Sequence, residues 1–211
     1  MGDSFCSHFS DSSLLFDTEP VSANRNRLHH PLPSLEKTTA NLIRRFPLTE
    51  TSLIIHWCTD SQGLIKTVAK GARKPGNRFA GKLDLFFQCE IEIVRSKKSD
   101  LHILKDVAVL QTRSGIRNSY VQTLAAAYFV KLIEKVAESA TPIPDLTDLL
   151  ERALEYLDQT RPDKRAVLHF ENELARFLGV ADPTRTAAAS IASTFGKLPK
   201  QRNELLDMTG A

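Results

Sequence analysis

The hydrophobic period of this chain changes once, near Gln111, and that change restricts the fold more than any single motif. From Thr38 to Gln111 apolar residues recur at every second position; beyond it they recur at steps of three and four. Leu83, Leu85, Phe87, Cys89, Ile91 and Ile93 alternate with Asp84, Gln88, Glu90 and Glu92, the signature of a long half-buried strand starting at Leu83 with one wet face. Leu53, Ile55 and Trp57 alternate with Ile54, His56 and Cys58, so both faces are largely apolar, and the phase assigns Trp57 to the core. Asp60-Ser61-Gln62-Gly63 then links this run to a second, Leu64 to Lys70, as a hairpin. Further strands are expected within His102 to Gln111 and Thr39 to Phe46. Five short strands in about 75 residues predict a small closed barrel, and the pattern fits an OB-fold or an SH3-like barrel.

Past Gln111, Val121, Leu124, Tyr128, Leu132 and Val136 mark a helix of roughly twenty residues. Thr141-Pro142-Ile143-Pro144 breaks it, and Asp145 is a candidate cap for a second helix with Leu146, Leu149, Leu150, Leu154 and Leu157 on its apolar face. A third helix follows Arg161-Pro162-Asp163, carries Val167, Phe170, Leu174 and Phe177, and stops at Gly179. A weaker Ala-rich helix spans Thr184 to Phe195. The expected class is therefore α+β multi-domain: a flexible amino-terminal arm over residues 1–35, a five-stranded barrel of OB-fold or SH3-like kind over 36–113 and an all-α helical domain over 114–211. At 211 residues the chain is long enough for such modules to bury their own cores.

Charge follows the same division. Residues 36–100 hold twelve Lys/Arg against seven Asp/Glu, a difference of +5, while residues 115–181 hold eight against ten, a difference of −2. The basic excess is concentrated further. Between Ser61 and Leu83 stand Lys66, Lys70, Arg73, Lys74, Arg78 and Lys82 without one acid. Gly71, Pro75, Gly76 and Gly81 let the backbone turn there, and long basic side chains can span several phosphates. Six single-strand phosphate contacts would give a salt slope of about −4 in log K against log salt. Within the run, Gly71-x-x-x-x-Gly76 imitates a phosphate loop. Asn77-Arg78 replaces the required Lys-Ser/Thr pair, however, and a strand follows where a helix N-terminus is needed, so nucleotide hydrolysis is excluded. Phe79, inside the loop, and Phe86, on the polar face of the strand from Leu83, are the candidates for base stacking.

These residues also carry a resemblance. Glu50-Thr51-Ser52-Leu53-Ile54-Ile55, then Gly63 to Pro75 with its Ala69-Lys70-Gly71-Ala72-Arg73-Lys74-Pro75 core, then Phe79-Ala80-Gly81-Lys82-Leu83, resemble the amino-terminal domain of the bacterial RecO recombination mediators. Leu101 to Asp106 and Phe170 to Leu174 are similar to two less distinctive segments of that family, and the likeness covers about Leu35 to Asp182. The resemblance implies an OB-fold joined to a helical domain in a non-enzymatic protein. Such a protein binds single- and double-stranded DNA, anneals complementary strands, and works with RecR and single-strand-binding protein to help load the RecA recombinase. The first 34 residues have no counterpart in it. Many members place four zinc-ligating cysteines beyond the segment matching Gly179; this chain has no Cys after Cys89, so no metal or other cofactor is expected.

The remaining chemistry is sparse. Cys6, Cys58 and Cys89 form no C-x-x-C pair and argue against a disulfide framework, which with the absence of a signal-like or membrane-spanning run predicts a cytoplasmic protein. His56, His102 and His169 fall in separate elements with no catalytic grouping. Arg44 and Arg45 point to opposite faces of their strand, so at most one extends the basic surface. The terminal Lys197, Lys200 and Arg202 continue a DNA path or fray. The competing class is a generic OB-type RNA-binding module or a nucleic-acid-modifying enzyme.

Overall fold

The structure, a computed structural model, describes residues 35–138, 141–142 and 144–210. The arm expected over residues 1–35 lies outside the described residues except for Leu35, which opens the first strand. Five strands, β1 (Leu35–Pro47), β2 (Leu53–Thr59), β3 (Gly63–Ala69), β4 (Gln88–Val94) and β5 (Leu101–Gln111), precede a 3-10 turn at Ser114–Arg117 and five helices. The strands close in the order β1-β2-β3-β5-β4, with β1 also antiparallel to β4. The β3–β5 seam is parallel and short, pairing only Lys66 to Val68 with Leu101 to Ile103. That crossover gives a five-stranded OB-like barrel, and the SH3-like alternative falls away.

Alternation builds the interior. Ile55 and Trp57 of β2, Ile65 of β3, Cys89, Ile91 and Ile93 of β4, and Leu104 and Val107 of β5 are buried together. Trp57 donates its indole N–H to Thr67 Oγ1 at 2.8 Å, satisfying the one polar group that a buried Trp carries. The β2–β3 hairpin turns on Gly63, whose φ is 65°, with Thr59 Oγ1 donating to the Gly63 carbonyl at 2.9 Å. A Cβ at Gly63 would stand 2.0 Å from the Thr141 carbonyl oxygen, so the hairpin tip packs directly on the link between the first two helices.

The helices are α1 (Tyr120–Val136), α2 (Pro144–Gln159), α3 (Lys164–Phe177), α4 (Ala187–Phe195) and α5 (Gln201–Thr209). Ser119 caps α1 and Asp163 caps α3 by accepting from the Gln122 and Ala166 amides. Pro144 opens α2, which puts Asp145 in the first turn, where its charge opposes the positive end of the helix dipole. Gly179 takes the left-handed φ of 66° expected after α3. The fifth helix has no counterpart in the sequence reading. Its apolar pattern is short, and its anchor is an ion pair: Arg202 donates to both oxygens of the buried Glu171 at 2.7 and 3.0 Å, and Tyr128 donates to the same carboxylate at 2.5 Å. Arg202 is therefore committed inside the helical half and continues no DNA path.

Barrel and helices share one core. Ile43 and Cys58 from the strands and Phe86 from the bend before β4 are buried with residues of α1 and α2. The long strand expected from Leu83 starts instead at Gln88, because Phe86 sits at φ 68° and Phe87 closes a turn back to the Asp84 carbonyl at 3.3 Å. Arg113, at φ 44°, holds that bend: its Nη1 donates to the Phe86 carbonyl at 2.9 Å and to Asn41 Oδ1 at 2.6 Å. Gln88, on the same expected wet face, is buried and donates to Glu151 of α2. The face that reads as polar in the sequence is dry at this end because the helices cover it.

Candidate nucleic-acid interface

After Ala69 the chain makes a series of tight turns before β4 begins. Amides of Lys74, Ala80 and Lys82 donate three residues back to Gly71, Asn77 and Phe79 at 3.0, 3.1 and 3.0 Å. Asn77 is the clip. Its Nδ2 donates to the Ala72 and Lys74 carbonyls at 3.0 and 2.6 Å, and its Oδ1 accepts from the Phe79 amide at 2.8 Å. Gly71, Gly76 and Gly81 all have positive φ, the conformation that a non-glycine residue would resist. Phe79 fastens the loop below, only 2% exposed among the barrel core residues. The result is an ordered platform for long cations, which lowers the entropy lost when a ligand is held.

The six expected cations do not form one set. Lys70, Lys74 and Arg78 are exposed on the turns, and among the described residues none makes an ion pair; the Arg78 guanidinium lies 4.9 Å from the centre of the anchored Phe79 ring. Arg73 is exposed but folds back, donating from Nη1 to the Thr49 carbonyl at 3.0 Å and so joining the loop to the β1–β2 turn. Lys82 is half-buried and 3.9 Å from Asp106 of β5. Lys66 projects outward in the middle of β3, away from the turns, and lines a groove with the β4–β5 loop. Arg44 and Arg45 are both engaged, by Glu134 at 3.2 Å and by Asp84 at 3.3 Å.

Both stacking candidates need correction. Phe79 is an anchor, and Phe86 is 4% exposed in the core shared with the helices, so neither ring presents a face to a base. Among the described barrel residues the exposed aromatic is Phe46, 40% exposed at the end of β1, with the Arg44 guanidinium 5.4 Å from its ring centre and His56 meeting it edge-on at 5.3 Å. Strict alternation from the buried Leu42 through Arg44 would put the Phe46 side chain inward. A register shift between Leu42 and Arg44 turns it outward.

The other reactive groups are muted. Burial pushes the Cys58 thiol up to about 11 and the Cys89 thiol up to about 12, so neither offers a thiolate near neutral pH. Among the described residues no three His, Cys, Asp or Glu side chains converge as a metal site. From Val180 to Ala211 the sequence contains neither Cys nor His. No helix among the described residues is long and apolar enough to cross a membrane.

The structure defines an α+β class of protein in which a five-stranded OB-like barrel bearing an ordered basic loop is fused to a helical bundle. Comparison with known proteins narrows the class. The family model described as Recombination protein O N terminal matches residues 34–113, and the one described as Recombination protein O C terminal matches residues 117–194. A protein named DNA repair protein RecO from Desulfatibacillum aliphaticivorans is 33% identical over 146 residues, 68% of this chain and 55% of that protein. Proteins of the same name from Rhodopirellula baltica and Exiguobacterium sibiricum are 27% and 29% identical, covering 69% and 76% of this chain and 54% and 65% of their own lengths. The chain belongs to the RecO family, and it spans between 54% and 65% of the length of these relatives.

Proposed function

We propose that this protein is a DNA-binding recombination mediator in DNA repair, that it acts without catalysis, and that the turns bearing Lys70, Lys74 and Arg78 hold the DNA backbone. The observation that carries this reading is the set of exposed cations without internal counter-charge on a rigid loop of an OB-like barrel. Cations placed along a phosphate chain release condensed counterions, which yields affinity independent of sequence and strongly dependent on salt. That mode suits a protein that binds single and double strands alike and brings complementary strands together. Lys66 and Lys82 belong to the wider basic surface, Arg73 braces the loop, and Phe46 takes the stacking role first given to Phe79 and Phe86. RecR and single-strand-binding protein are the proposed partners in recombinase loading, and the cytoplasm is the proposed compartment.

The test combines binding and annealing. The chain should anneal complementary oligonucleotides without nucleotide or metal, and its affinity for single-stranded DNA should fall steeply between 50 and 200 mM salt, as expected for several phosphate contacts. Salt-insensitive binding, or annealing that depends on added nucleotide, would overturn the reading.

A further inference from the structure

Beside the β4–β5 loop lies a groove of about 360 Å³ lined by Leu64, Lys66, Arg95, Lys97, Lys98 and Asp100, among others. It exists because of the barrel's topology. The parallel seam pairs β3 with β5 only from Lys66 onward, so the first half of β3, Gly63 to Ile65, has no partner strand on that side. The loop from Arg95 to Asp100 arches past this open edge. Its turn is fixed by Ser96, whose Oγ accepts from the Lys98 amide at 3.3 Å and whose amide donates to Nδ1 of the buried His102 at 3.3 Å. Arg95 is neutralised by Glu36 at 2.9 Å, whereas Lys66, Lys97 and Lys98 make no ion pair among the described residues. Asp100 is the acid on the groove wall. Glu134, on the far side of Lys66, is already engaged by Arg44 at 3.2 Å and approached by His56 at 3.6 Å.

Lys66 faces outward on β3 and the exposed Lys70 is the first residue beyond it, an extended step of four residues that separates them by about 13 Å. The outer face of β3 therefore joins two basic stations, the groove at one end and the Lys70 to Arg78 turns at the other. We propose that the groove is a second phosphate-binding station for DNA, and that one single strand runs along β3 from Lys97 and Lys98 past Lys66 to Lys70 and Lys74. This inference rests on the DNA reading of the turns and extends it to a path and a direction on the barrel.

The experiment compares two variants of the full chain, Lys97→Ala/Lys98→Ala and Lys70→Ala/Lys74→Ala/Arg78→Ala, in salt titrations with oligothymidylates of 5 and 20 nucleotides. The shorter lies near the lower limit and the longer above the upper limit of the roughly 4 to 16 nucleotides that one OB barrel holds. For the groove variant, the salt slope with the 20-mer should fall in magnitude by about 1.4, weakening binding roughly 20-fold near 0.1 M salt. The affinity gained on lengthening the oligonucleotide from 5 to 20 should largely vanish. Both substitutions are at exposed loop positions, and an unchanged thermal midpoint establishes that the fold is intact. Wild-type slope and length gain in the groove variant, with binding lost in the triple variant, would overturn the path and leave the DNA reading standing. A reduced slope with the full length gain would overturn the continuous path. Wild-type behaviour in both variants would overturn the path and the DNA reading together.

Discussion

Arg202 and Lys74 are both long cations on short segments near chain turns, yet their surroundings differ completely. In the helical half, Arg152, Arg176, Arg185 and Arg202 each meet a carboxylate at 2.8, 2.5, 3.7 and 2.7 Å, and even the buried Arg113 lies in the field of Glu151, Glu155 and Asp158 of α2. On the barrel edge, Lys66, Lys70, Lys74, Arg78, Lys97 and Lys98 have no such partner among the described residues. Each region holds both kinds of cation: Lys37, Arg44, Arg45 and Arg95 of the barrel are paired, and Lys131, Lys164 and Arg165 of the helical half make no ion pair among the described residues. Net charge separates the two halves, and local neutralisation separates the cations that brace the fold from those left facing outward. The distinction predicts that removing a bracing charge costs stability, whereas removing an outward one from the barrel edge costs binding.

The sharpest break in that comparison is Glu171→Ala. It would leave the Arg202 guanidinium and the Tyr128 hydroxyl without their shared acceptor in a nearly dry site, and loss of one partner of a buried pair typically costs about 3 to 5 kcal/mol. Urea unfolding should report a loss in that range, with the salt slope of DNA binding unchanged in conditions where the variant is folded. A loss under about 1 kcal/mol would mean that α5 is held by packing of Leu205 rather than by the ion pair.

Two phenylalanines sharpen the comparison within the barrel. Phe79→Ala empties the anchor of the basic loop and should cost about 3 to 4 kcal/mol of stability, read by thermal unfolding. Phe46→Ala should change stability by less than about 0.5 kcal/mol and weaken single-stranded DNA binding by roughly 1 to 3 kcal/mol, with less effect on duplex, whose bases are already stacked. The reverse pattern would return the stacking role to Phe79.

The charge variant Lys70→Ala/Lys74→Ala/Arg78→Ala comes next. It should reduce the salt slope by about 2 and weaken single-strand binding roughly 100-fold near 0.1 M salt, while the melting midpoint stays within a degree or two. Equal losses for unrelated sequences are expected, since phosphate contacts carry no sequence information.

The two phenylalanines also mark the limit of what was legible in the chain. Alternation located all five strands, the core position of Trp57 and the hairpin at Gly63, because each depends on local period and on a turn residue. Phe86 and Gln88 were misplaced because covering α1 and α2 are thirty or more residues away, and no local pattern announces which wet face a later helix will dry. Phe46 was missed for a similar reason: the irregularity between Leu42 and Arg44 reverses the side-chain phase without any glycine or proline to signal it. The basic run was plain, but its division was not. Lys66 parts from the turns because it belongs to a strand, and Lys97 and Lys98 join it only through the crossover that brings β5 beside β3.

The smallest expected effect concerns the turn that carries those two lysines. His102 is buried, and burial, reinforced by the neighbouring Arg95 charge, lowers its pKa below the ordinary value near 6.5; Glu36 and Asp100 act weakly in the opposite sense. The unfolded chain therefore takes up a proton first as the pH falls. Stability from the neutral imidazole is complete above about pH 6.5 and is lost progressively below it, until the folded form is protonated as well. The urea midpoint should be flat above pH 7 and decline as the pH falls below about 6.5, with the difference between wild type and His102→Gln shrinking as it does. Because Nδ1 is the acceptor for the Ser96 amide at 3.3 Å, protonation also removes the bond that shapes the loop. Hydrogen exchange at Ser96, corrected for its intrinsic pH dependence, should accelerate over the same range. Protection that persists through the range in which stability falls would show that the Ser96 and Ser99 hydroxyls hold the turn by themselves, and that the groove keeps its form independently of the imidazole.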